Sequence, residues 1–84
     1  MSADIKTIRK FLVHPDLSTS ERWVVMWQFR ILGDFGSALA KAITLADESN
    51  LNRLAAGFPV EVQGYREWSQ GGLGRKLRDM GLDI

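Results

Sequence analysis

Apolar residues near the start of the chain recur at three- and four-residue steps: Ile5, Ile8, Phe11 and Leu12, with Lys6, Arg9 and Lys10 between them. That spacing predicts an amphipathic helix over about residues 3–13, with Ser2 as its N-cap and a basic outer side. His14-Pro15-Asp16 ends it, because a residue before proline is pushed out of the helical region. Ser18 and Glu21 then stand three apart, directly before an apolar run. This is the capping-box pattern, in which each side chain answers a backbone N–H that a helix start leaves unpaired. Leu17 before the cap and Arg22 at the fourth helical position do not make a hydrophobic staple. The second helix is expected from Thr19 to Leu32, stopped by Gly33 in a left-handed conformation.

That second segment is apolar nearly all round, with Trp23, Val24, Val25, Met26, Trp27, Phe29, Ile31 and Leu32. A helix without a polar stripe is central to a core or presents a sticky surface. Trp23, Val25, Trp27, Phe29 and Ile31 also alternate as a strand would. The capping box, the Gly33 stop and the scarcity of partner strands favour helix.

Asp34 is placed to cap a third helix carrying Phe35, Leu39, Ala42, Ile43 and Ala46. Gly36 and alanines 38, 40, 42 and 46 make it slender, so a neighbouring helix can approach closely. Asp47 or Ser49 caps a short fourth helix through Leu51, Leu54 and Ala55, closed by Gly57. Pro59 sits where a first-turn proline loses nothing, opening a fifth helix through Val62, Tyr65 and Trp68. Gly64 weakens that helix by about 1 kcal/mol relative to alanine, and Val60 with Val62 leave a minor strand alternative. From Ser69 the character changes. Gly71-Gly72-Leu73-Gly74 reads as a hinge to the basic run Arg75, Lys76 and Arg78. The pattern predicts an all-α fold: one bundle of about five short helices in residues 1–70, then a flexible, glycine-rich, basic tail at 71–84.

Composition narrows the function classes. The chain has 84 residues, enough for one core, and 45% hydrophobic residues with eight aromatic side chains to fill it. With no cysteine, disulfides, thiolate metal sites and a cysteine nucleophile are excluded, and a reducing cytoplasm is the expected setting. No run approaches the roughly 18 apolar residues of a membrane span. A net charge of +1 argues against a strongly basic nucleic-acid binder and against an acidic mimic.

Candidate chemistry is thin. His14, the only histidine, has Asp16, Ser18 and Ser20 as neighbours in a turn, without an oxyanion site, so a turn-and-cap role is expected rather than a triad. Glu21 with Asp16, and Asp47 with Glu48, are pairs of the acid–base type, but capping and helix-start electrostatics account for them. The glycine-rich loop lacks the ending of a phosphate-binding motif and the sheet of a KH domain. No catalytic residue, metal ligand or cofactor is expected.

Glu21-Arg22-Trp23, Phe29-Arg30, Leu32-Gly33, Phe35, Ala38-Leu39, Ala42-Ile43, Ala46-Asp47, Asn50-Leu51, Arg53-Leu54, Gly57-Phe58-Pro59, Glu61-Val62, Tyr65 and Trp68 together form a pattern. In it the chain resembles a family of small bacteriophage and prophage proteins, mostly known only as hypothetical. The resemblance covers Glu21 to Trp68 and consists mainly of core and capping residues. It implies a phage or mobile-element accessory protein that binds a host or phage protein in a bacterial cell. Anti-CRISPR inhibitors are one such class.

Tryptophan and arginine are over-represented at the energetic centres of protein interfaces. On that basis the partner-binding candidates are Trp23, Arg30, Arg66, Trp68, Arg75, Lys76 and Arg78. A homodimer is a second expected use of the apolar surplus. The alternative function is a helix-turn-helix-like nucleic-acid regulator using the basic termini, against which Glu61 and Glu67 in the would-be recognition helix count.

Overall fold

The computed structural model describes residues 5–84, so the Ser2 cap lies outside the described residues. Six helices follow one another: α1 (Ile5–Leu12), α2 (Thr19–Gln28), α3 (Gly33–Leu45), α4 (Glu48–Gly57), α5 (Pro59–Ser69) and α6 (Leu73–Asp79). No strand occurs among the described residues, so the alternation in residues 23–31 and at Val60 and Val62 has no extended counterpart.

The caps explain most of the starts. Ser18 accepts a bond from the Glu21 N–H at 3.2 Å, and the Ser18 N–H donates to Glu21 Oε1 at 2.8 Å, completing the capping box of α2. The Asp47 carboxylate accepts from the Asn50 N–H at 2.8 Å and opens α4, which leaves Ser49 inside the helix. Pro59 occupies the first turn of α5.

Two expectations give way. The second helix stops at Gln28, four residues before Leu32. The Arg30 N–H donates to Trp27 O and the Ile31 N–H to Met26 O, with Arg30 at φ 60°. This is a Schellman cap whose left-handed residue is an arginine instead of the usual glycine. Gly33, also left-handed at φ 78°, opens α3 rather than closing α2, and no side chain caps that start, Asp34 included.

The second departure is the tail. Residues 71–84, expected as a loose extension, hold a sixth helix whose Leu73 and Leu77 are buried, and Leu82 beyond it is buried too. Gly72 (φ 75°) turns the chain into α6 and Gly81 (φ 102°) turns it out. The Gly81 N–H donates to Arg78 O and the Leu82 N–H to Leu77 O, a second Schellman cap with a leucine at each end of its long bond. Three large apolar side chains removed from water offset much of the entropy of fixing a seven-residue helix.

The centre of the molecule is the crossing of α2 and α5. Val24, Val25 and Val62 are inaccessible or nearly so, and Trp23 and Phe29 pack beside them. Gly64 makes this crossing close. A Cβ there would lie 2.7 Å from Ser20 O, 3.0 Å from a Val24 methyl and 3.2 Å from the Trp23 ring. The glycine that weakens α5 as an isolated helix is the residue that lets the two backbones meet.

Candidate functional site

The singled-out residues fall into three groups. The tryptophans gather in one cluster: Trp23 stacks on Trp27 at 5.6 Å, and Tyr65 and Trp68 approach Trp27 at 6.2 and 6.4 Å. Trp23 is buried in this cluster and Trp68 is half-buried, its ring close to Gly74 of α6. Aromatic pairs at these separations add to the area they bury. Packing therefore accounts for Trp23, and it takes up much of Trp68.

The basic candidates of the C-terminal half are largely paired within the chain. Arg66 donates to Glu48 Oε1 at 3.0 Å, and Arg75 faces Asp79 at 3.9 Å. Lys76 donates to Glu21 Oε2 at 2.8 Å and to Asp16 O at 3.2 Å. It thereby fastens α6 to the start of α2. Burial pushes the Glu21 carboxyl up. The Lys76 ammonium and the Ser18 N–H and hydroxyl outweigh that and hold it below its ordinary value. Arg78 is exposed, its guanidinium close to Gly74.

His14 takes the structural part expected of it. Its Nδ1 accepts from the Asp16 N–H at 3.1 Å, its ring stacks on Phe11, and its carbonyl accepts from Arg22. Ser20 is buried and donates to Glu67 Oε1 at 2.9 Å, so its hydroxyl is engaged away from the histidine. Among the described residues no group of three or more histidines and carboxylates is placed to hold a metal ion. No helix among them is long and apolar enough to cross a membrane.

Of the candidates, Arg30 stands at a concave surface. Between α2 and α3 lies a groove of about 510 Å³ lined by Trp27, Gln28, Arg30, Ser37, Lys41 and Thr44, with Ala40 at its base. Beside it, α3 carries a stripe that sequence reading did not separate. Phe35, Ala38, Ala42 and Leu45 follow at steps of three, four and three, all exposed, with Phe35 70% and Leu45 75% accessible. Those steps put four apolar side chains on one helical face. Leu39, Ala40 and Ile43 face the core instead. On the far side of the stripe a second groove of about 350 Å³ runs between α3 and α4, lined by Ala42, Leu45, Ala46, Asn50, Arg53 and Leu54. The outward side of α3 is thus an apolar ridge between a cationic groove and a mainly apolar one.

Lys41, Phe35 and Leu45 are residues of this face that sequence reasoning did not single out. The signal was present as the 35/38/42/45 spacing, but α3 has apolar residues on two of its three faces. Periodicity alone does not say which face the core takes. No family model matches the chain, and no curated protein or solved structure matches it significantly.

Proposed function

We propose that this is a non-catalytic binding protein that associates stoichiometrically with another protein through the outward side of α3. The observation that carries this reading is the exposed ridge Phe35–Ala38–Ala42–Leu45. Contiguous apolar surface rimmed by polar residues is the usual mark of a docking face on a small protein. The flanking arginines, Arg30 and Arg53, suit the rim of such an interface. The resemblance to phage and prophage proteins supplies the setting. In it the partner is a bacterial host or phage protein in the cytoplasm, and inhibition of a defence complex, as by an anti-CRISPR, is the sharpest form of the proposal.

Nucleic-acid binding through the basic termini is the weaker reading, since Arg66, Arg75 and Lys76 already face carboxylates of the chain. The deciding experiment is in-cell cross-linking and co-purification at native expression from bacteria that encode the protein. One dominant protein partner is expected, and it is lost with Phe35→Ser/Leu45→Ser. Recovery of none, or capture indifferent to that double substitution, overturns the reading. A mobility-shift assay showing tight, steeply salt-dependent DNA or RNA binding does the same. A second copy of the chain as the occupant would appear as a dimer in analytical ultracentrifugation, again sensitive to Phe35 and Leu45.

A further inference from the structure

We propose that the α2–α3 groove takes an acidic segment of the partner protein, with Arg30 and Lys41 receiving its carboxylates. The idea rests on the reading that the partner is a protein. The groove has two cations and no carboxylate among its lining residues. Neither Arg30 nor Lys41 forms an ion pair or side-chain hydrogen bond with another described residue, in contrast to Arg66, Arg75 and Lys76. Gln28 and the hydroxyls of Ser37 and Thr44 add neutral hydrogen-bonding groups along the same walls. Thr44 already donates to Lys41 O at 2.8 Å, which leaves its oxygen to accept from a peptide N–H. A guanidinium is a planar fork that receives a carboxylate through two parallel bonds, whereas lysine acts as a point charge, so one strong and one adaptable anchor are present.

The backbone points the same way. Arg30 holds the left-handed position that ends α2, at φ 60°, where glycine is the unstrained residue. Its side chain is exposed, so packing does not explain why arginine stands there. Strain retained at an exposed residue on the lip of a groove is an observation from which a ligand contact is fairly inferred. An acidic peptide is favoured over a phosphate backbone by what surrounds the groove. The apolar ridge of Phe35, Ala38, Ala42 and Leu45 adjoins it, suited to apolar side chains flanking the acids. Two cations make a short anchor, not a track for successive phosphates, and the chain as a whole carries only +1.

The test is selection of a displayed random-peptide library on the intact protein, followed by amide chemical-shift mapping of a selected peptide. Selected sequences are expected to be enriched in Asp and Glu and to perturb Gln28, Arg30, Ser37, Lys41 and Thr44. Arg30→Gly and Lys41→Gln should each weaken binding at least tenfold. Arg30→Gly should at the same time raise the thermal unfolding midpoint, because it relieves the left-handed strain; loss of binding then cannot be loss of fold. Sequences without acidic enrichment, or binding unchanged in both variants, overturn the assignment. So does a single-stranded oligonucleotide that displaces the peptide and binds more tightly through the same residues. Apolar peptides seated on Phe35 and Leu45 alone would remove the acidic-segment assignment while leaving the protein-binding function intact. Failure to select any peptide on either surface would remove both.

Discussion

The α2–α5–α6 seam and the outward side of α3 are built from similar residue types and treat them in opposite ways. In the seam, backbones approach closely at Gly64, and Leu73, Leu77 and Leu82 are buried. Charged groups there are answered within the chain, Glu21 by Lys76 and by Ser18, and Glu67 by the buried Ser20 hydroxyl. On α3, two large apolar side chains stand in solvent and two cations lie in a groove without a carboxylate. The seam holds a large part of the buried core. The α3 face contributes less to it, Phe35 touching only the Phe58 ring at 6.0 Å among the described aromatic pairs, and that difference is the ground for proposing it as the binding surface.

Substitutions that break the seam should cost most. Leu77→Ala removes a fully buried side chain from the face of α6 and is expected to lower stability by about 2–5 kcal/mol in urea unfolding. A loss below about 1 kcal/mol would mean that α6 is not docked. Gly64→Ala drives a Cβ into Ser20 O, and overpacking should exceed the gain in helix propensity, for a net loss of about 1–2 kcal/mol. Gly57→Ala, where a Cβ meets nothing within 4 Å, is the control and should be neutral or stabilising by up to about 1 kcal/mol.

The electrostatic part of the seam is read through pH. The folded-state pKa of Glu21 lies below its ordinary value of 4.5, so its contribution is fully present above that value. It disappears as pH falls through the lower folded value. Glu21→Gln should therefore flatten the stability profile on the acid side of pH 4.5, and Lys76→Met should flatten it in part. An unchanged acid limb in both variants would show that the Lys76–Glu21 contact does not form. The smallest effect belongs to the other region. Leu45→Ser should change stability by no more than about 0.5 kcal/mol and Phe35→Ser, whose ring meets Phe58 at 6.0 Å, by about 0.5–1.5 kcal/mol, each abolishing partner capture. A loss well beyond those values would place the side chains in the fold and count against the proposed binding face.

Much of the fold was legible because its signals are local. Ser18 and Glu21, Asp47, and Pro59 act within one helical turn, and each opens a helix where its residue type requires. The errors arose where a local signal had two readings. Gly33 is left-handed as expected, but it serves α3, because Arg30 had already accepted the strained position that ends α2. The run of glycines from Gly71 read as looseness, although Leu73 and Leu77 at a four-residue step, then Gly81 and Leu82, spell a short capped helix. Of the proposed binding surface, Arg30 was singled out in advance, and the ridge beside it was not.

The sequence by itself determined an all-helical chain with most of its helix starts, because capping and backbone sterics are decided within a few residues. Tertiary structure decided which apolar residues became core and which became surface. Leu39 and Ile43 went inward and Phe35 and Leu45 outward on the same helix, a choice set by where α2 and α5 could lie against it. It also decided which cations were neutralised, since Lys76 meets Glu21 only because the last helix folds back onto the start of the second. A single chain of side chains cannot state such pairings, for they depend on the distance between residues fifty-five positions apart.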